Sequence, residues 1–301
     1  MKTAILYHAN CVDGFTAAWA VQRNVGGEVR PVNHGDPIPS DATKFDKVFI
    51  VDFSYPYNDL VQLGKSTDLI VLDHHASAMD DIWHKLQDPS STPTMFTLDG
   101  LAPDHFRCVM DRSRSGAGIA WDHVTDGQDR PALVDYVEDR DLWNNKLPGT
   151  REVSAYLRCL EHDLELWDWL ASVPIEDLIA KGDGCTTQLD AVIRAAVAQS
   201  YICEMGDRTF PIANVTYLAG SETAEALCEH WDAPMAGYYF RQGDGRWKYG
   251  FRSRDGSTTV HDFAAQFGGG GHPSASGALL DTLDHIQIPE TTTPPQAEKG
   301  N

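Results

Sequence analysis

Three short apolar runs each end in residues able to bind a cation or move a proton. TAILYH (3–8) closes on His8, KVFIVDFS (47–54) carries Asp52, and DLIVLDHH (68–75) closes on Asp73, His74 and His75. Asp13 opens the helix-like segment DGFTAAWAVQRN (13–24) that follows the first run. A single Asp at a strand end is an ordinary cap or turn residue. Three strand ends carrying His or Asp, one of them an Asp-His-His triplet, point instead to a shared site. Carboxylates mixed with imidazoles suit Mn²⁺, Fe²⁺ or Zn²⁺ better than Ca²⁺ or Mg²⁺, which prefer all-oxygen shells. A carboxylate can bridge two such ions, and an ion pair can activate water and stabilise the leaving oxygen of a phosphoryl group. With no Ser or Cys nucleophile in the set, the pattern predicts attack by metal-activated water.

The elements that must position these residues follow from periodicity. In residues 1–75, continuous apolar runs alternate with helix-like segments. This pattern predicts a parallel sheet covered on both faces. The carboxyl ends of such strands share one edge, where ligands bind. EVRPVNH (28–34) is a further strand candidate. The middle of the chain reads as helical, with a break expected at Gly182-Asp183-Gly184 before a long helix over 186–205. Beyond it, FPIANVTYL reads as a strand, and AGYYFRQGDGRWKYGFRS as a hairpin turning at its GDG. The expected class is α/β: a parallel-sheet domain with helices on both faces, joined by a long helix to a smaller α+β domain. The expected boundaries are 1–200 for the catalytic domain, 201–208 for a linker, 209–287 for a substrate-binding domain and 288–301 for a disordered tail.

Several segments together resemble a known family. VLDHHAS (71–77) resembles the signature of the DHH phosphoesterase superfamily. YHANCVDGFTAAWA (7–20), FIVDFSY (49–55), SRSGAGIAW (113–121) and YVEDRDLW (136–143) are similar to further motifs of that family, in the expected order. GGGGHPSASGA (268–278), preceded by YGFRSRDG (249–256), resembles the glycine-rich motif of the DHH-associated domain. The resemblance spans roughly residues 3–280 and points to a nanoRNase-like or cyclic-nucleotide phosphodiesterase-like member.

The resemblance implies two domains and two Mn²⁺ ions, with Mg²⁺, Fe²⁺ or Zn²⁺ as substitutes. It implies His8, Asp13, Asp52, Asp73 and His74 or His75 as metal ligands, with Asp52 or Asp73 as a bridge; His74 is assigned to the metal and His75 to hydrogen bonding near the scissile phosphate. In the fourth motif Asp139 is expected as the ligand and Asp141 in support. Cys11 stands where many members carry an Asp, and a thiolate there would favour Zn²⁺ or Fe²⁺. Arg252, Ser253, Gly269, Gly270, Gly271 and His272 are expected to hold substrate, and in catalysis Arg252 is expected to offset negative charge while His75 or His272 orients or protonates a leaving or non-bridging oxygen. Four consecutive glycines could present their N–H groups as an anion nest, and Arg252 offers a fork suited to phosphate.

Composition narrows the substrate. The 301 residues carry a formal net charge of −20, which disfavours an extended nucleic-acid surface. Six scattered cysteines without a CxxC pair argue against a structural zinc site or a disulfide framework. No basic-then-apolar leader and no apolar run of spanning length is present, so the expected setting is cytoplasmic, with no membrane partner and a homodimer left open. The expected activity is hydrolysis of short oligonucleotides or cyclic dinucleotides to mononucleotides. The alternatives are a phosphomonoesterase, a pyrophosphatase or polyphosphatase, and a non-catalytic nucleotide sensor.

Overall fold

The computed structural model describes residues 1–33, 35–86, 93–99, 106–254 and 258–289. Two compact units divide the chain between Thr186 and Thr187. The first unit opens with β1 (Thr3–His8), α1 (Val12–Val25), β2 (Glu28–Val32), β3 (Lys47–Val51), α2 (Tyr57–Gly64), β4 (Asp68–Asp73) and α3 (Ala76–Leu86). Next come β5 (Met95–Asp99), β6 (Phe106–Asp111), α4 (Gly116–Thr125), α5 (Ala132–Asp141), α6 (Thr150–Leu157) and α7 (Leu164–Ser172). The long helix α8 (Ile175–Ala198) spans the division.

The first sheet has the order β2-β1-β3-β4-β6-β5. All its pairs are parallel except β5 with β6. Both faces are buried because side chains alternate along each strand. Ile5, Tyr7, Phe49, Val51, Ile70 and Leu72 pack into one core with α1, α4 and α5. Ala4, Leu6, Val48, Ile50, Leu69 and Val71 pack into the other with α2 and α3. Strands buried on both faces cannot alternate polar with apolar, hence the continuous apolar runs. The strand order reverses beside β1, so the carboxyl ends of β1, β3 and β4 flank a topological switch point.

The second unit contains β7 (Tyr201–Met205), β8 (Arg208–Asn214), α9 (Tyr217–His230), β9 (Met235–Arg241), β10 (Trp247–Ser253), α10 (Val260–Ala265), β11 (Gly270–His272) and β12 (Ala275–Leu280). Its sheet runs β11-β12-β10-β9-β8-β7, with β8 and β9 parallel and the other pairs antiparallel. Phe210, Ile212, Met235 and Phe263 fill one face. Ala213, Ala236, Leu227 and Ile193 fill the other.

The structure departs from expectation at four places. No break falls at Gly182: α8 runs through it, because a Cβ there would lie 2.1 Å from the Glu152 carbonyl oxygen. The glycine thus permits close helix packing rather than a turn. The helix ends at Ala198, and Tyr201–Met205 is a strand instead, with Cys203 and Met205 buried against β8. Residues 201–208, expected as linker, therefore hold β7 and the turn into β8. The strand expected over 210–218 ends at Asn214, and Tyr217 already begins α9. The β9–β10 hairpin does turn at Gly243-Asp244-Gly245. His34, Asp255, Gly256 and residues 290–301 of the expected tail lie outside the described residues.

Candidate metal centre

The strand ends deliver their polar residues to one place. β1 ends at His8, and β3 is followed at once by Asp52, whose φ of 62° turns the chain out of the sheet. That left-handed conformation is costly for most residues but is visited by Asp, and it sits where the chemistry is expected. The Asp52 amide still donates to Leu72 O at 2.9 Å, so the carboxylate is fixed against β4. β4 ends at Asp73, followed by His74 and His75.

Asp73 is wholly buried, and one of its oxygens organises the triplet. Oδ1 accepts the His74 amide at 2.7 Å, the His75 amide at 3.1 Å and His75 Nδ1 at 2.7 Å. Oδ2 is buried and accepts no hydrogen bond among the described residues. Asp52 Oδ2 is in the same condition. Buried carboxylate oxygens without donors are costly, and a cation is what such oxygens ordinarily hold.

His74 is 3% exposed and lies among three carboxylates. Its Nε2 is 3.2 Å from Asp52 Oδ1, 3.5 Å from Asp141 Oδ2 and 3.9 Å from Asp13 Oδ2. On the other side of Asp52, His8 Nδ1 lies 3.7 Å from Oδ2. Three donor groups overlap here: Asp13, His74 and Asp141; Asp52, Asp73, His74 and His75; and His8, Cys11 and Asp52. Asp52 and His74 each belong to two of them.

The electrostatics are those of excess negative charge. Burial pushes the Asp13 carboxyl well up, and repulsion from Asp52 and Asp141 adds to it. Burial and the charges of Asp52, Asp13 and Asp141 likewise push the Cys11 thiol well up. Cys11 is also the N-cap of α1, its sulfur accepting the Gly14 amide at 3.5 Å. Burial pulls His75 down, but the Asp73 charge and hydrogen bond outweigh it and raise the imidazole above its usual range.

Asp13 is held by a helix end. Its Oδ2 accepts the Gly116 amide at 2.7 Å and its Oδ1 the Ala117 amide at 3.0 Å. The next amide, Gly118 N, is capped by Ser115 Oγ at 3.2 Å, and Ser115 N donates to Glu138 Oε2 at 2.9 Å. The first turn of α4 therefore spends its orphan N–H groups on Asp13, its own cap and Glu138. Arg130 bridges Glu138 at 2.7 Å and Asp122 at 2.6 and 2.8 Å, and Asp122 continues to Arg114 and Asp111. Two glycines make the approach feasible. A Cβ on Gly116 would lie 2.7 Å from Asp52 Cβ, and one on Gly14 would lie 2.9 Å from Asp52 Oδ2.

The fourth-motif pair is reversed relative to expectation. Asp139, expected as the ligand, is 7% exposed and belongs to none of these donor groups. Its carboxylate accepts Lys146 N at 3.0 Å, Leu147 N at 3.0 Å and Thr150 Oγ1, which fixes the turn before α6. Burial raises its pKa, but these donors outweigh it and hold it low. Asp141 reaches His74 instead. Sequence reasoning missed Glu138 and Arg130. The available signal was the spacing: Glu138 and Asp141 are three apart and share a helix face, which Asp139 does not.

In the second unit, Arg252 pairs with Ala275 and His272 pairs with the same residue. The three form one cross-strand row, so Arg252 and His272 project from the same sheet face. Arg252 Nη2 donates to Ser221 Oγ at 2.8 Å. Ser253 continues β10, its amide donating to Ser274 O at 3.0 Å. Two amides of the glycine run are already engaged within the unit. Gly268 N and Gly269 N close the end of α10 on Ala265 O and Ala264 O, and Gly270–His272 forms the edge strand β11. A Cβ on Gly269 would lie 2.1 Å from Gly277 O and one on Gly271 2.6 Å from Ala275 O, so these glycines admit β12.

No family model matches the chain. An uncharacterized protein, R106, of Acanthamoeba polyphaga mimivirus is 27% identical over 309 residues, covering 93% of this chain and 68% of that one. Among solved structures, an exopolyphosphatase-related protein from Bacteroides fragilis aligns with a TM-score of 0.54 at 11% identity, covering 92% of this chain and 86% of that one. A pGpG-specific phosphodiesterase from Vibrio cholerae aligns with a TM-score of 0.48 at 11% identity, over 94% of each chain. The chain therefore shares its fold with the Bacteroides protein across most of its length.

Proposed function

We propose that the chain is a metal-dependent phosphodiesterase that hydrolyses short oligonucleotides or linear or cyclic dinucleotides to mononucleotides. The observation that carries this reading is the gathering of Asp13, Asp52, the Asp73-His74 pair and Asp141 from four segments, with two buried carboxylate oxygens left without donors. A pair of divalent cations fits this set: it would satisfy those oxygens and offset the repulsion that raises Asp13. His8, Asp13, Asp52, Asp73, His74 and Asp141 would hold the ions. The mixed oxygen and nitrogen donors suit Mn²⁺, and a deprotonated Cys11 would shift preference toward Zn²⁺ or Fe²⁺. Bound ions of this kind supply Lewis-acid charge and bring the pKa of water near neutrality.

The remaining work belongs to side chains. Asp73 holds the His75 ring through Nδ1, so that its other nitrogen can serve the phosphate or the leaving oxygen. Arg252 and His272, on one sheet face, offer donors to a phosphate, and Ser253, Gly269, Gly270 and Gly271 fix the strands that carry them. The charge of −20 favours a small substrate over long nucleic acid. No helix among the described residues is long and apolar enough to cross a membrane.

The test is a hydrolysis panel with added Mn²⁺: two- to five-residue oligoribonucleotides, cyclic dinucleotides, 3′-phosphorylated nucleotides, pyrophosphate and polyphosphate. The reading expects metal-dependent release of mononucleotides, abolished by Asp73→Ala. Turnover of polyphosphate alone would replace it with the polyphosphatase alternative. Tight nucleotide binding without turnover would replace it with the sensor alternative.

A further inference from the structure

We infer that a cavity at the carboxyl edge of β2 and β3 binds a purine base of the substrate. It encloses about 420 Å³, within the size range of small-ligand sites. Its walls include Phe53, Tyr55, Ile38 and Pro56, and its polar rim includes Asn33 and Asp36. Asp52 immediately precedes Phe53, so the same left-handed turn that aims the Asp52 carboxylate at the metal centre starts one wall of the cavity. The position is also the sheet edge at which an open α/β fold binds ligands.

The lining selects the chemistry. Aromatic and proline walls suit a flat ring. The lining carboxylates, Asp36 and Asp59, repel phosphate and attract N–H donors. Asp36 is pre-set for this: its Oδ2 accepts the Asn33 amide and Asn33 Nδ2, both at 3.0 Å. The turn thereby fixes one oxygen and leaves Oδ1 to a ligand. Tyr55 is 7% exposed, and its hydroxyl has no hydrogen-bond partner among the described residues. Burial, then the Asp36 charge, pushes its pKa up to about 12, so the ring stays neutral as a wall of the cavity. A carboxylate oxygen on the rim matches a base edge that carries adjacent N–H groups, as guanine does. The inference rests on the phosphodiesterase reading for the rest of the ligand, since the cavity would take the base joined to the phosphate being cleaved.

The experiment compares the full chain with its Asp36→Asn variant on a linear guanine dinucleotide and on bis(p-nitrophenyl) phosphate, both with Mn²⁺. The substitution keeps an acceptor for the Asn33 turn but presents an amide N–H₂ to the ligand. The ratio of kcat/KM for the dinucleotide to that for the baseless ester is expected to fall about tenfold, through KM. An unchanged ratio would overturn the base site while leaving the phosphodiesterase reading intact. If the wild-type protein cleaves neither compound, that reading fails, and a guanosine titration followed by calorimetry decides the cavity alone. Binding weakened by Asp36→Asn would support it, and no binding to the wild-type protein would remove it.

Discussion

Asp73 Oδ1 accepts a hydrogen bond from His75 Nδ1 at 2.7 Å, while the same oxygen accepts the amides of His74 and His75. One atom thus shapes the turn after β4 and selects the ring nitrogen that carries the proton. The division of labour within this carboxylate can be tested. Asp73→Asn retains an acceptor for the backbone donors but loses the charge on the buried Oδ2 side. Mn²⁺ affinity, followed by electron paramagnetic resonance, is expected to fall about 100-fold. The midpoint of thermal unfolding of the metal-free protein should change little. A large loss of metal-free stability with affinity retained would mean that the residue serves the turn alone.

Glu138 and Arg130 act on the site through Asp13. Glu138 holds Ser115 N, and the adjoining amides of Gly116 and Ala117 hold Asp13. Glu138→Gln is expected to weaken Mn²⁺ binding about tenfold, as loss of a partner behind a ligand does. Arg130→Met leaves Asp122 and Glu138 without their shared cation and should cost about 3 kcal/mol of stability. Denaturant titration measures the second effect. An unchanged Mn²⁺ affinity in Glu138→Gln would show that the network supports only the fold.

Two glycines in helices are expected to respond oppositely to alanine. Gly184 lies exposed in α8, and a methyl added there would meet nothing within 4 Å, so Gly184→Ala should stabilise by about 0.5–1 kcal/mol. Gly116 is the first residue of α4 and gains less from helix propensity, and the methyl of Gly116→Ala would lie 2.7 Å from Asp52 Cβ and 3.0 Å from Asp13 Oδ2. The substitution should lower both stability and Mn²⁺ affinity. Thermal melts of the two variants side by side check the contrast.

His162 stacks on Phe15, with ring centroids 4.7 Å apart and planes 8° apart. Burial pulls its pKa below the usual 6.5. As pH falls through that value the unfolded chain takes up a proton that the folded chain resists, so stability declines. The decline ends once pH passes the lower folded value. His162→Phe should remove this component. The drop in unfolding midpoint between about pH 7.5 and pH 5 is expected to be smaller in the variant than in the parent. An equal drop would assign the pH dependence to other groups, such as His123.

The strand ends were legible because a parallel sheet buried on both faces must be written as continuous apolar runs. A polar residue closing such a run has only the carboxyl edge to occupy. His8, Asp52, Asp73 and His74 could therefore be read from the chain alone, as could the α/β class and the hairpin at residues 243–245. Helix-borne residues were less legible. Asp139 and Asp141 differ by two positions, a rotation that propensity and composition do not register, and only the packing of α5 against α4 decides which carboxylate turns inward. Glycine was ambiguous for the same reason. Gly182 read as a break and Gly269 as part of an anion nest, yet each marks a place where another backbone passes too close for a side chain. Sequence alone determined which residues could bind metal and on which edge they would meet. Tertiary structure decided which carboxylates arrive, because close approach depends on atoms distant along the chain, such as the amides of Gly116 and Ala117 that hold Asp13.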